Sequence, residues 1–334
     1  MIKSAIAGLG WWGQHIAGCL RQDGAKLELV RGVDPRFAEL GEISEKFGIP
    51  ITAKLDDALE DSSIEAVILA TPHSVHEDQI VACAEAGKHV FAEKPLTMSA
   101  AGAKRAIDAC EAAGVVLAVD HERRFEPAFA EVKQLIDGGD LGTLMHLEAN
   151  FSHDILANVD PNDWRASPAE SPIPALSAMS IHLTDAYQYL CGPIAEVFAY
   201  ATKRIGNWGT GDVFTLQLMF ESGLTGSMSS ILVTPMYVRF QAFGSEAWVE
   251  ARSDTHPGAP GITKLTLSRT GQERVVKDLA YIDTVRVNLD AFADAVTGVA
   301  PYPITNAEKL GNIAVVDAII ESVRTGQPVK PVSS

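Results

Sequence analysis

Short apolar runs alternate with segments of helical periodicity over the first 120 residues of the chain. The apolar runs predict strands over Ile2–Ala7, Leu27–Val33, Ile64–Ala70, His89–Ala92 and Val115–Val119. The segments between them predict helices over Trp12–Gln22, Pro35–Phe47, Val75–Ala86 and Ser99–Ala113. Strands that are apolar on both faces and separated by helices are typical of a parallel sheet covered on both sides. This part of the chain is therefore predicted to be a doubly wound α/β domain.

After Asp120 and a helix predicted over Pro127–Asp137, the pattern changes to a period of two. One face of the first strand carries Met145, Leu147, Ala149 and Phe151, and the other carries His146, Glu148, Asn150 and Ser152. Further strands are predicted over Val197–Lys203, Val213–Phe220, Leu224–Val233, Tyr237–Phe243, Ala247–Ala251 and Lys264–Ser268. Consecutive strands joined by short turns indicate an antiparallel sheet.

The remaining elements are a polar, proline-rich loop, a central helix and two C-terminal helices, over Asp160–Pro174, Ser177–Leu190, Val285–Val296 and Asn306–Arg324. Thr305 and Glu308 have the spacing of a capping box for the last helix. The predicted fold class is α/β, with an N-terminal Rossmann-type parallel sheet and a C-terminal α+β domain on a large open antiparallel sheet. We expect one domain over residues 1–122 and a second over residues 123–334.

The excess of acidic over basic residues argues against nucleic acids and anionic membranes as partners. The 334 residues include 27 Lys and Arg against 43 Asp and Glu, a net charge of −16. Nucleic-acid binding needs a basic surface, and anionic membranes attract basic segments, so neither partner is expected. The four cysteines show no C-x-x-C spacing, which favours reduced thiols in the cytoplasm. No apolar run reaches the length of a membrane span of about 18 residues.

A glycine motif follows the first predicted strand. Gly8, Gly10 and Gly13 form G-x-G-x-x-G at the start of a predicted helix, with Trp11 and Trp12 between them. Gly8 permits a tight turn, Gly10 allows the backbone to approach a pyrophosphate, and Gly13 allows close packing of helix on sheet. The helix N-terminus stabilises the phosphate charge. The strand before and the helix after the motif predict a dinucleotide site.

The acid that ends the second strand, Asp34, suits a ribose-binding carboxylate. It would accept hydrogen bonds from the ribose hydroxyls and repel a 2′-phosphate, which favours NAD. Arg36 is a guanidinium two residues further on that could bind such a phosphate, so NADP stays open as the alternative. Glu93 and Lys94 leave another buried strand at the edge where open α/β sheets bind ligands. Pro95 biases Lys94 toward an extended backbone, and a partly desolvated lysine can act as a base.

Several motifs together resemble the glucose–fructose oxidoreductase / inositol dehydrogenase (Gfo/Idh/MocA) family over nearly the whole chain. Besides the glycine motif and Glu93-Lys94-Pro95, they are Thr71-Pro72-His73 with His76, Arg123-Arg124-Phe125-Glu126-Pro127, Trp164-Arg165 and Ile181-His182-Leu183-Thr184-Asp185. The resemblance implies an NAD(P)-dependent oxidoreductase acting on sugars, cyclitols or related polyhydroxy compounds, with the substrate between the nucleotide domain and the antiparallel sheet. It also implies that residues 1–122 bind the nucleotide and residues 123–334 bind substrate.

The resemblance implies roles for individual residues. Lys94 corresponds to the lysine beside the nicotinamide and the substrate hydroxyl, and His182 to the second catalytic group. The cofactor-binding set it implies is Gly8, Gly10, Trp11, Trp12, Gly13, Asp34, Arg36, Thr71, Pro72, His73, His76, Glu93 and Lys94. The substrate-binding set is Lys94, Arg124, Trp164, Arg165, His182 and Asp185. No metal site is expected, because His73 and His76 have no evident third ligand.

The chain departs from the family before the histidine. Many members have an aspartate and a glycine where Ala178 and Ser180 stand here. Asp185 lies one helical turn after His182 and either orients it or serves as a structural acid. Arg124 either links the domains by a salt bridge or contacts substrate, and Trp164 with Arg165 either binds a hydroxylated ligand or anchors the loop.

Two functions other than a dehydrogenase are compatible with the sequence, and the sequence also predicts an oligomer. One is a lyase or glycoside-cleaving enzyme that retains NAD and re-reduces its substrate, and the other is a non-enzymatic NAD-binding sensor or scaffold. Net cofactor reduction separates a dehydrogenase from both. A large sheet has two faces and only one covers the site, so we expect a homo-oligomer, a dimer or a tetramer. Light scattering that detected only monomer would contradict this expectation.

Overall fold

The computed structural model describes residues 1–160, 162–205 and 211–332. The chain forms two compact units. Among the described residues, the first unit consists of Met1–Glu122 and Val285–Leu310, and the second of Arg123–Thr284 and residues 311–332.

The first unit is built on a parallel sheet, as predicted, and its strands follow the order β3-β2-β1-β4-β5-β6. Its elements are β1 (Ile2–Ala7), α1 (Trp11–Cys19), β2 (Leu27–Val33), α2 (Gly41–Phe47), β3 (Ile51–Thr52), α3 (Asp56–Leu59), β4 (Ala66–Leu69), α4 (His76–Glu85), β5 (His89–Ala92), α5 (Ala100–Ala113) and β6 (Leu117–Val119). The strand order reverses on either side of β1, which places a ligand crevice at the carboxyl ends of β1 and β4.

Two features of this unit differ from the prediction. The helix expected over Pro35–Phe47 is divided into a 3-10 turn, Phe37–Glu39, and α2. Leu40 separates them because it leaves helical geometry and buries its side chain. The short elements β3 and α3 were not predicted, since two residues of an edge strand carry too little pattern to be recognised.

The second unit is built on a larger sheet of the order β14-β13-β12-β11-β7-β10-β9-β8. Its elements are α6 (Pro127–Asp137), β7 (Leu144–Ser152), α7 (Ile181–Cys191), β8 (Ile194–Thr202), β9 (Val213–Phe220), β10 (Thr225–Ile231), β11 (Tyr237–Gly244), β12 (Ala247–Ser253), β13 (Ile262–Arg269) and β14 (Val275–Ala280). The pairs are antiparallel as predicted, except that β7 pairs with β10 in parallel. Strand β14 was missed because it is an edge strand whose residues are mostly exposed.

One face of the large sheet is covered by α6 and α7. Phe129 on α6 and Tyr187 on α7 both pack edge-on against Phe240 of β11, with ring centroids 5.2 and 5.8 Å apart. The alternation predicted for β7 holds from Leu147 to Phe151, whereas Met145 near the strand start is 58% exposed and Ser152 at the strand end is buried. The period-two pattern therefore identified the buried face of this sheet.

Two helices complete the described chain, α8 (Thr284–Val296) and α9 (Asn306–Thr325). Phe292 of α8 packs against Phe91 of β5, which accounts for the place of residues 285–310 in the first unit. The capping box of α9 is confirmed, since the Thr305 amide donates to Glu308 Oε2 (2.9 Å) and the Glu308 amide donates to Thr305 Oγ1 (3.2 Å). Among the described residues, no helix combines the length and the apolar character that crossing a membrane requires.

Candidate active site

The glycine turn between β1 and α1 is closed on one side and open on the other. A Cβ at Gly13 would lie 1.9 Å from the Gly8 carbonyl oxygen, so only glycine permits this packing. Gly8 has a φ of +88°, and a Cβ there would lie 2.4 Å from the Ala70 carbonyl oxygen. Outside Gly10 and the backbone next to it, no atom of the described residues lies within 4 Å of the Cβ position at Gly10, which leaves room for a ligand beside the backbone. The N-cap residue of α1 is Gly10 itself, which has no side chain to cap the helix, so the first amides of α1 suit a pyrophosphate.

Asp34 lies directly after β2 and is buried. Its Oδ2 accepts hydrogen bonds from the Leu9 amide (3.0 Å) and Arg36 Nη2 (3.0 Å), and its Oδ1 accepts from the Arg36 amide (2.9 Å). Burial alone would raise the pKa of Asp34, but the hydrogen bonds from Arg36 and Leu9 outweigh it and lower that pKa. The carboxylate is thus charged, and it ties the second strand to the glycine turn.

The carboxyl ends of β1, β4 and β5 meet at one edge, because these strands are parallel neighbours. Thr71 follows β4 and Lys94 follows β5 at this edge. The buried His76 ring connects the two segments, with Nδ1 2.9 Å from the Pro95 carbonyl oxygen and Nε2 3.0 Å from the Thr71 carbonyl oxygen. The ring of His73 stands edge-on to that of His76, 6.1 Å away. The structure therefore brings Thr71, His73 and His76 together beside the segment that carries the half-buried Lys94.

Glu93 is a buried acid that holds the glycine turn and the lysine segment. Its Oε1 accepts a hydrogen bond from Trp12 Nε1, and its Oε2 accepts one from the Lys94 amide (3.1 Å). Trp11, by contrast, is 57% exposed and stands edge-on to Trp12. Glu93 and Trp12 thus contact each other within the protein, whereas the Trp11 ring lies beside the turn and is largely exposed.

Three residues of the first unit that the sequence analysis did not single out lie at this edge. Asp120 follows β6, and its Oδ1 accepts a hydrogen bond from Asn288 Nδ2 (2.9 Å). The Tyr302 hydroxyl is 2.7 Å from Asn288 Oδ1. An acid directly after a buried strand was the available signal for Asp120. Asn288 and Tyr302 gave no such signal, because they come from the distant C-terminal segment.

The second unit carries the other predicted site residues. His182 is buried near the start of α7, and Asp185 is buried one turn further along. Asp185 and Arg124 form a bidentate ion pair, with Nε to Oδ2 and Nη2 to Oδ1 both 2.7 Å. Both residues belong to the second unit, so this salt bridge is internal to that unit.

The backbone before α7 is a π-helical turn, Leu176–Ser180. It carries Ala178 and Ser180, the two positions at which the chain departs from the family pattern. Ser180 Oγ lies 2.6 Å from Ser230 Oγ of β10, in the buried interior. π-helical turns are frequent at functional sites, and this one lies directly before His182.

Trp164 and Arg165 lie in a 3-10 turn within the predicted loop. The Arg165 guanidinium stacks on the Trp164 ring, 4.2 Å from the ring centroid, and Asp163 Oδ1 accepts a hydrogen bond from the Arg165 amide (2.8 Å). Both side chains are half-buried. The remainder of the loop includes Pro161, which lies outside the described residues.

Three of the four cysteines are unsuited to nucleophilic chemistry. None of the four forms a disulfide bond. Burial raises the pKa of Cys83 to about 12, that of Cys110 to about 11 and that of Cys191 to about 12. The thiolate is the reactive form, so these three side chains are inert at neutral pH.

The fold and the first unit's site define an NAD(P)-dependent oxidoreductase with an NAD-binding Rossmann domain. Residues 2–121 match the family model described as "Oxidoreductase family, NAD-binding Rossmann fold", and residues 129–250 match that of the "GFO/IDH/MocA C-terminal domain". The chain belongs to the Gfo/Idh/MocA family of oxidoreductases, which confirms the resemblance drawn from its motifs.

Named relatives and a solved structure cover most of the chain. It is 28% identical to scyllo-inositol 2-dehydrogenase (NAD(+)) of Bacillus subtilis, over 98% of this chain and 96% of that protein. It is 30% identical to myo-inositol 2-dehydrogenase of Thermotoga maritima, over 75% of each. A crystal structure of a putative NADPH-dependent oxidoreductase from Desulfitobacterium hafniense superposes with a TM-score of 0.89 at 25% identity, covering 98% of this chain and 97% of that one.

Proposed function

We propose that this protein transfers a hydride between NAD and a hydroxyl-bearing carbon of a sugar, cyclitol or related polyhydroxy compound. The observation that carries the proposal is the position of Lys94, at the sheet edge that also bears the open glycine turn. Relatives named as inositol dehydrogenases support this substrate class. In this proposal residues 1–122 bind the nucleotide, and residues 123–334 supply His182 and the substrate contacts.

The nicotinamide ring, when bound, supplies the hydride acceptor. The protein's own part is to position the substrate and to take the hydroxyl proton. As the carbinol C–H bond breaks and the C=O bond forms, the hydroxyl proton passes to Lys94 Nζ, which must enter the step as a neutral amine. His182 is the second proton-transfer group in this proposal, and Arg124, Trp164, Arg165 and Asp185 form the substrate-binding set.

Asp34 is proposed to select NAD over NADP. The variant Asp34→Asn keeps the size of the side chain and one acceptor oxygen but removes the charge that repels a 2′-phosphate. We expect the ratio of kcat/KM for NADP to that for NAD to rise about tenfold or more. Steady-state kinetics with both cofactors measure this ratio. The exposed acid Glu28 on the same strand provides the control, Glu28→Gln; an unchanged ratio in both variants would remove Asp34 from cofactor selection.

A panel of cyclitols, aldoses and anhydrosugars, each offered with NAD, tests the proposed function. We expect NADH absorbance to increase with at least one of them. Product formation without net NADH would indicate a lyase that retains its cofactor. Tight NAD binding with no turnover across the panel would indicate a sensor or scaffold.

A further inference from the structure

Two acidic side chains lie side by side at the edge that carries Lys94. Ala92 of β5 and Val119 of β6 are register partners in adjacent parallel strands, and Glu93 and Asp120 are the residues that follow them. The Asp120 amide donates to the Ala92 carbonyl oxygen (2.8 Å), so the pairing continues past both strand ends. Glu93 is 7% exposed and Asp120 is 1% exposed. Water therefore has little access to either carboxyl group.

The donors and acceptors around Glu93 and Asp120 indicate that one of the two carboxyl groups is protonated. Asp120 Oδ1 accepts from Asn288 Nδ2, while no nitrogen or hydroxyl donor among the described residues reaches the buried Oδ2. The register of β5 and β6 makes Glu93 the neighbouring carboxyl within hydrogen-bonding reach of the Asp120 side chain. Two ionised carboxylates are both acceptors and repel each other, so one member must be protonated to donate.

Burial and the neighbouring charged groups favour Asp120 as the protonated member of the pair. Burial, and then the neighbouring acids Glu93 and Glu122, raise the pKa of Asp120 well above its ordinary value, while the hydrogen bond from Asn288 lowers it. The C-terminal segment contributes Tyr302, whose hydroxyl contacts Asn288, and Lys309, whose Nζ lies 5.3 Å from the centre of the Tyr302 ring. Glu93 receives donors of its own from Trp12 and the Lys94 amide.

We propose that Asp120 is a positioning residue that stays a neutral acid and donates a hydrogen bond to Glu93, which in turn fixes the Lys94 backbone and the Trp12 side chain of the glycine turn. The role rests on the proposed function, because Lys94 is the residue proposed to accept the substrate proton. Asp120 acts through Glu93 and touches neither substrate nor cofactor in this scheme.

The sharpest variant is Asp120→Asn, because an amide has one acceptor for Asn288 and one donor for Glu93, as a neutral acid does. We expect its kcat at pH 7 to stay within about threefold of wild type. Asp120→Ala removes the donor, and we expect kcat to fall about tenfold with the NAD dissociation constant little changed. Asp108→Asn, at an exposed acid on α5, is the matched control. A loss of kcat in Asp120→Asn as large as in Asp120→Ala would show that the charged form is needed and would overturn the proposal.

A second readout needs no substrate. Folding raises the pKa of such a carboxyl, so the folded state binds its proton more tightly than the unfolded state does. The resulting stabilisation is complete below the unfolded-state pKa of about 4 and is lost as the pH rises toward the folded-state pKa. We therefore expect the Tm of wild type to fall relative to that of Asp120→Asn between pH 5 and pH 8, by roughly 2 °C per pH unit. A difference in Tm that does not change with pH would overturn the proposal, whatever the activity. If the Tm difference has the expected pH dependence but wild type turns over no substrate, the result supports a neutral Asp120 and refutes the proposed function.

Discussion

Lys94→Met is expected to lower kcat about a thousandfold while the dissociation constant for NAD stays within about threefold. The thioether side chain keeps most of the volume of the lysine stem but cannot accept a proton. The Lys94 backbone amide still reaches Glu93 Oε2, so the local backbone is retained. Stopped-flow or steady-state kinetics with the best substrate of the panel measure kcat, and calorimetry measures NAD binding.

Lys104→Met is the matched control, since Lys104 lies on α5 in an exposed ion pair with Asp108. Exposed pairs of this type contribute little to stability, so this variant should keep wild-type kinetics. A kcat near that of wild type in Lys94→Met would exclude Lys94 from proton transfer. A parallel loss of NAD affinity would show instead that the lysine acts mainly in cofactor binding.

Breaking the buried ion pair between Arg124 and Asp185 is expected to destabilise the second unit by about 3–5 kcal/mol. The two hydrogen bonds of 2.7 Å pair the two charges in the interior, and Arg124→Met leaves the Asp185 carboxylate there without its guanidinium. Denaturant unfolding followed by circular dichroism measures the loss of free energy.

Two further variants test whether the loss of stability comes from the uncompensated buried charge. Lys264→Met removes one partner of the exposed pair between Lys264 and Asp278, and we expect a change below about 1 kcal/mol. The double variant Arg124→Met with Asp185→Leu removes both buried charges and should recover part of the loss, because no uncompensated charge remains. Equal stability of Arg124→Met and wild type would show that the pair contributes no net stability.

Local pattern accounts for most of the elements of the fold. The strands at Ile2–Ala7, Leu27–Val33 and His89–Ala92 have their predicted bounds, since each is a short apolar run closed by a turn or a charged residue. The antiparallel sheet was predicted from its period of two, yet the parallel pairing of β7 with β10 was not. The strands between these two in the chain lie elsewhere in the sheet, and no local signal specifies such a long-range pairing.

Some features of the candidate site can likewise be predicted from local sequence, whereas others depend on tertiary structure. The roles proposed for Gly8, Gly13 and Asp34 follow from sequence spacing, because a turn, a helix start and a strand end are local features. The bidentate pairing of Arg124 with Asp185 joins residues 61 positions apart and could not be inferred from spacing. For this reason the sequence alone is compatible with either a domain-linking salt bridge or a substrate contact at Arg124.

The sequence by itself determined the family, the class of cofactor and the two sheet types, because glycine geometry, strand periodicity and strand-end acids are encoded within short segments. Tertiary structure alone decided which charged groups lie next to one another. Glu93 lies beside Asp120 because β5 and β6 are neighbours in register, and Asn288 reaches Asp120 from a helix 168 positions away in the chain. Burial then sets the charge state of each group, and burial is a property of the packed chain.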